Sequence, residues 1–70
     1  MIGELYNTSY GWTIMYPNEK KNHFFNRILL PLTNETILND EQNGDMVSFD
    51  IVFNYDDDYK DLMPFAQIKN

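Results

Sequence analysis

Aromatic side chains at alternate positions are the feature of this sequence with the clearest chemical use. Tyr10 and Trp12 alternate in one short segment, and Phe24 and Asn26 alternate in another that continues into Arg27. Aromatic rings on an open sheet face stack on unpaired bases, at roughly 1–3 kcal/mol per base and with little sequence preference. Arginine can stack on a base and also pair with a phosphate. If neighbouring strands carry the two segments, these side chains predict one platform for single-stranded RNA or DNA.

The positive charges lie close to these segments. Lys20 and Lys21 stand between them and are candidates for phosphate contacts, although a lysine pair in a polar turn is more often simply solvated. Residues 1–34 carry three basic and two acidic side chains, a net charge of +1, whereas residues 35–70 carry two basic and nine acidic ones, a net charge of −7. Any phosphate contact is therefore expected from the first half, and binding is expected to be weak.

Other chemistries find little support in the residue types. The chain has no cysteine and a single histidine, His23, so we expect no zinc site and no histidine-based metal site. Residues 54–60 place oxygen-bearing side chains at alternate positions, as a calcium loop does. However, Tyr59 stands where such a loop needs glycine, and Phe65 where it needs the closing glutamate. There is no nucleophile elbow and no glycine-rich phosphate loop. We therefore expect no enzyme activity and no cofactor.

The elements that must position these residues are strands. Short runs rich in β-branched and aromatic residues are separated by Asn, Asp, Gly and Pro, which predicts an all-β domain. The clearest alternation places Val47, Phe49, Ile51 and Phe53 on the buried face of one strand. The last strand is expected to face inward with two further residues, Ala66 and Ile68. The predicted strands are residues 2–6, 10–16, 23–30, 46–53 and 64–69, with a long loop over 31–45 that has room for a helical turn and an acidic loop over 54–62.

Length and composition indicate one domain over residues 1–70. An apolar content of 43% and an aromatic content of 16% argue against disorder despite the net charge of −6. No apolar run approaches the ~20 residues of a membrane span, and the first residues lack the basic flank and apolar run of a signal peptide. A cytoplasmic location is the expectation, and the oligomeric state is left open.

Several segments resemble, in order, the motifs of cold-shock domains. Residues 10–12, Tyr-Gly-Trp, are similar to the first nucleic-acid motif of that family, and residues 24–27, Phe-Phe-Asn-Arg, to the second. Residues 44–51, Gly-Asp-Met-Val-Ser-Phe-Asp-Ile, closely match the family's fourth strand, and residues 65–68 its closing strand. The resemblance covers nearly the whole chain. It implies a small five-stranded antiparallel barrel of the OB type that binds single-stranded nucleic acid, with Tyr10 and Trp12 facing outward.

Two alternatives stay open at this point. Tyr10, Trp12, Ile14 and Tyr16 form a fully apolar alternate set, and periodicity alone favours placing that set in the core. The second alternative concerns function. An exposed aromatic face or the acidic loop would also serve an OB-like protein-interaction module that binds no nucleic acid.

Overall fold

A computed structural model describes residues 1–17, 27–33 and 38–69 of the chain. These residues form five strands and one short 3₁₀ turn, so the predicted all-β fold class is confirmed. The elements in chain order are β1 (Ile2–Thr8), β2 (Gly11–Pro17), β3 (Arg27–Pro31), the 3₁₀ turn (Asp40–Gln42), β4 (Met46–Asp56) and β5 (Asp61–Ile68). None of the described residues belongs to a helix long and apolar enough to cross a membrane.

The strands form one antiparallel sheet in the order β3-β2-β1-β4-β5. Its two outer strands meet where Leu32, just after β3, bridges Ala66 of β5 in parallel. The Thr33 N–H donates to the Ala66 carbonyl oxygen at 3.1 Å. This contact nearly closes the sheet into a barrel and covers the edge of β5 at Ala66. The strand order and the closure are those of an OB-type barrel.

The core is built from one face of every strand. Its buried residues are Leu5, Ile14, Leu30, Leu32, Phe49 and Ala66. Of the six residues predicted to face inward on the last two strands, Phe49 and Ala66 are fully buried, whereas Val47, Ile51 and Ile68 are partly buried and pack against the cluster. Leu38, from the long loop before β4, also packs against this cluster.

The predicted burial of Phe53 is wrong, since 63% of this side chain is exposed. Phe53 does share a strand face with the core residue Phe49. However, β1 pairs with β4 only over Met46–Ser48, so the later residues of β4 pair, among the described strands, only with β5. Burial therefore decreases along β4 beyond the stretch that pairs with β1, from the fully buried Phe49 through the partly buried Ile51 to the exposed Phe53.

The predicted acidic loop over residues 54–62 is mostly strand. β4 runs on to Asp56 and β5 begins at Asp61, which leaves a turn of four residues, 57–60. Lys60 closes this turn with a left-handed backbone, at a φ of 55°. The expected helical turn in the long loop is present at Asp40–Gln42. The first half of the predicted third strand, residues 23–26, lies outside the described part of the chain.

Candidate nucleic-acid interface

The structure describes three of the seven residues predicted for nucleic-acid contacts, namely Tyr10, Trp12 and Arg27. The remaining predicted residues lie outside the described ranges: Lys20, Lys21, Phe24 and Asn26. The geometry of the interface therefore rests on β1, β2, the start of β3 and the turn between the first two strands.

A two-residue turn presents Tyr10 to solvent. Thr8 pairs with Gly11, so that only Ser9 and Tyr10 link β1 to β2. The Thr8 hydroxyl donates to the Gly11 carbonyl at 2.7 Å and accepts from the Tyr10 N–H at 3.2 Å. Gly11 takes a φ of 120°, which costs a glycine little. The turn backbone is thus held by its own hydrogen bonds, while the Tyr10 ring is wholly exposed.

Trp12 faces the barrel interior, so the expectation of an outward Trp12 beside Tyr10 is wrong. The short turn sets a register in which Ile14 lies opposite Leu5, and both side chains are fully buried. Because side chains alternate along a strand, Trp12 and Tyr16 share the inward face with Ile14. Both rings are partly buried and pack against the core, and the Tyr16 ring lies 5.3 Å from that of Phe49. Periodicity alone favoured this arrangement, and it is correct for Trp12, Ile14 and Tyr16 but wrong for the fourth member of the set, Tyr10, which is wholly exposed.

Tyr10 and Trp12 nevertheless border the same depression. They line an open pocket of about 290 Å³ at the end of the barrel where β3 approaches β5. Leu32 and Phe65 contribute further apolar wall, and Phe65 is a third aromatic ring that is only partly buried. Two of the predicted aromatics thus meet at a cavity edge rather than on a flat outward platform.

The outward side chains of β1, β2 and β3 form a second surface, called the outer face here. It comprises Glu4, Tyr6, Thr13, Met15, Arg27 and Leu29. Cross-strand pairs hold it together, since Tyr6 lies opposite Thr13, and Met15 lies between Glu4 and Leu29. Tyr6 is 44% exposed and Leu29 59% exposed. The outer face is therefore a sheet surface of mixed apolar and polar side chains, on which Tyr6, Leu29 and Arg27 are exposed to solvent.

Arg27 is the only basic side chain among the described residues of the first half of the chain. Its Nη1 donates to the Met15 sulfur at 3.7 Å, which lays the guanidinium along the outer face. Arg27, Met15 and Glu4 border an open pocket of about 310 Å³ at the end of β2. Because Glu4 is acidic, it offsets part of the attraction that Arg27 exerts on a phosphate.

Sequence reasoning missed Tyr6, Met15 and Leu29 as surface residues of this kind. Alternation along the strands could have identified them. Leu5, Ile14 and Leu30 face the core, so the residues next to them in sequence point outward. No group of three or more His, Cys, Asp or Glu in the described ranges is arranged to hold a metal ion.

Comparisons with protein-family models, with curated proteins and with solved structures find no match for this chain. The assignment of a barrel therefore comes from the strand pairing in the structure and not from a relative. The resemblance to cold-shock domains stays a prediction from the residues that carry it.

Proposed function

We propose that this protein binds single-stranded nucleic acid, weakly and with little sequence preference, through the outer face and Tyr10. The observation that carries the proposal is the position of the exposed apolar surface. In OB-type barrels, the face of the second and third strands and the adjoining loops bind oligonucleotides. Here β3 exposes Leu29 and Arg27 on that face, Tyr6 of β1 extends the face, and the turn between β1 and β2 exposes the whole Tyr10 ring.

Stacking is expected to supply more of the affinity than phosphate contacts. A stacked base contributes roughly 1–3 kcal/mol and needs no positive charge. The cations of the first half are Lys20, Lys21 and Arg27, which limits the salt dependence to a slope of about −2, at ~0.7 per contact on a single strand. The net charge of −6 opposes any polyanion at low salt. A binder of this kind is weak, and a slope of about −2 means that a fourfold rise in salt lowers its affinity about 16-fold.

The single tryptophan makes the proposal testable by fluorescence, because Trp12 lines the pocket beside Tyr10. Oligo-dT and oligo-U are titrated into the wild type and into Tyr10→Ala, whose side chain is wholly exposed and can be removed without loss of packing. Losing one stacking ring is expected to weaken binding by roughly 1–3 kcal/mol, or about five- to 150-fold.

Tyr59→Ala is the matched control, because Tyr59 is also an exposed tyrosine in a hairpin turn, 72% accessible, but lies between β4 and β5. It is expected to bind like the wild type. If Tyr10→Ala and Tyr59→Ala bind alike, Tyr10 is not part of the interface. If no oligonucleotide binds at millimolar protein concentrations, the proposed function is wrong.

A further inference from the structure

The β4–β5 hairpin continues past the barrel as a two-stranded ribbon, defined here as residues 52–56 of β4 and 61–65 of β5. Its ladder runs from the Val52–Phe65 pair to the Asp56–Asp61 pair. Pairing with β1 ends at Ser48, and the contact with the β3 side of the sheet is made at Ala66. Within the described residues, no other strand therefore pairs with either edge of the ribbon.

One face of the ribbon is apolar and exposed. Phe53 lies opposite Pro64, and Tyr55 lies opposite Leu62, so these four side chains share a face. The exposed fractions are 63% for Phe53, 61% for Tyr55 and 59% for Leu62. An isolated two-stranded hairpin is only marginally stable in water. A contiguous apolar surface on such a ribbon is the kind of patch that marks an interaction site.

The turn end of the ribbon is strongly acidic. Residues 56–61 hold four aspartates and one lysine, a net charge of −3. The Asp56 Oδ1 accepts the N–H groups of Asp58 at 2.8 Å and of Tyr59 at 3.4 Å, and the Asp61 Oδ1 accepts the Leu62 N–H at 2.7 Å. The one ion pair among the described residues joins Lys69 to Asp50, so none of these four carboxylates has a cationic partner there.

We propose that the ribbon docks a basic polypeptide segment, with large apolar side chains that cover Phe53, Tyr55 and Leu62 and flanking Lys or Arg that face the four aspartates. Charge selects this occupant. A second copy of the chain would be repelled, because it would bring together two ribbon turns of net charge −3 and two chains of net charge −6. A nucleic acid would be repelled as well, because it is also an anion. A cationic partner is instead attracted, and complementary charge accelerates its association. This site is independent of the proposed outer-face interface.

The test uses the full chain and a synthetic labelled peptide of alternating leucine and valine with two lysines at each end. Its matched control carries glutamates in place of the lysines. Binding is followed by fluorescence anisotropy. The wild type is expected to bind the lysine-ended peptide and not the glutamate-ended one.

Two pairs of variants separate the ribbon from other surfaces. Leu62→Ser is compared with Leu29→Ser, since both leucines are 59% exposed but Leu29 lies on the outer face. Leu62→Ser is expected to weaken peptide binding by about fivefold or more, as truncation of a central contact does, and Leu29→Ser to leave it unchanged. The turn variant Asp57→Asn/Asp58→Asn removes no described side-chain hydrogen bond. It is expected to lower the affinity for the lysine-ended peptide about tenfold, through slower association. The control Glu41→Gln removes a carboxylate outside the ribbon and is expected to leave this affinity unchanged.

Three results would overturn the proposal. The first is failure of the wild type to bind the lysine-ended peptide. The second is an equal loss in the two leucine variants, with both still folded by thermal melting, which would mean that exposed apolar area in general causes the binding. The third is binding of oligo-dT that Leu62→Ser abolishes, which would assign the ribbon to nucleic acid. Failure of oligonucleotide binding alone leaves this site unaffected.

Discussion

Gly3 is the glycine at which an added methyl group is expected to lower the stability of the fold most. It is buried in β1, between β2 and β4. A Cβ built on Gly3 would lie 2.5 Å from Cγ2 of Ile14, 3.0 Å from the carbonyl oxygen of Met15 and 3.0 Å from Cε1 of Phe49. Ile14 and Phe49 are both fully buried, and the third neighbour is backbone, so none of the three can move aside freely.

The magnitude of the Gly3→Ala effect follows from two opposing terms. Extra volume in a well-packed core costs about 1–3 kcal/mol. Alanine also reduces the entropy of the unfolded chain, which stabilises by about 0.4–1 kcal/mol where the backbone accepts it, and Gly3 does not have a positive φ. The net expectation is a destabilisation of about 1–2 kcal/mol, or a melting temperature lower by roughly 5–15 °C in a domain of this size.

Thermal and urea melts of the wild type and Gly3→Ala measure this difference. A double-mutant cycle with Ile14→Leu identifies the contact, because leucine lacks the Cγ2 methyl that stands in the way and preserves the side-chain volume. The Gly3→Ala/Ile14→Leu variant is expected to lose less stability than the sum of the single variants. If Gly3→Ala melts at or above the wild-type temperature, or if the cycle is additive, the packing argument is wrong.

Three further predictions concern stability. Phe49→Ala should be largely unfolded at 25 °C, because truncating a buried Phe costs about 3–5 kcal/mol and the core of so short a chain supplies a similar total; circular dichroism showing a wild-type melting curve would contradict this. Lys60→Gly should raise the free energy of unfolding in urea by about 0.5–1 kcal/mol, because glycine adopts the φ of 55° without steric strain. Lys60→Ala removes the same charge but keeps the Cβ, so it should give no such gain. Equal stabilities of the two variants would contradict the strain at Lys60. Lys69→Ala should change stability by less than about 1 kcal/mol, because its 3.6 Å pair with Asp50 is exposed, and a larger loss in the same assay would show that the pair is stronger than its exposure indicates.

Local pattern predicted the barrel well where burial follows a single period. The alternation from Val47 to Ile51 identified β4 and its inward face, because apolar and polar residues alternate along a strand that is buried on one face. The same logic failed at Phe53, where the residue pattern continues but the neighbouring strand does not. How far β1 extends along β4 is a property of two distant segments, so the local alternation could not report it.

The ribbon was missed for a related reason. Residues 54–62 are rich in aspartate, which is depleted in strands, and this composition is typical of a loop. Their pairing is held instead by the four-residue turn and by cross-strand contacts such as Tyr55 with Leu62. Neither feature is apparent from composition.

The orientation of Trp12 shows how a one-residue difference in parity decides a site. The two sets of alternate side chains on a strand can each face the core. The length of the turn and the strand pairing decide which set is buried. The two-residue turn places Ile14 opposite Leu5, so Trp12 lies on the inward face and the partly buried Met15 on the outer face. The resemblance to cold-shock domains implied the other face, whereas the apolar set containing Trp12 and Ile14 indicated this one.

The most direct test of the proposed function is an NMR titration of the uniformly ¹⁵N-labelled chain with a short oligo-dT. Binding through the outer face predicts that the amide shifts cluster on β1, β2 and the start of β3, with Tyr6, Tyr10 and Leu29 among the residues most affected. The amides of the β4–β5 ribbon, including Tyr55 and Leu62, are expected to stay in place. Shifts confined to that ribbon, or no shift at millimolar oligonucleotide, would contradict the proposal that the outer face of this barrel binds single-stranded nucleic acid.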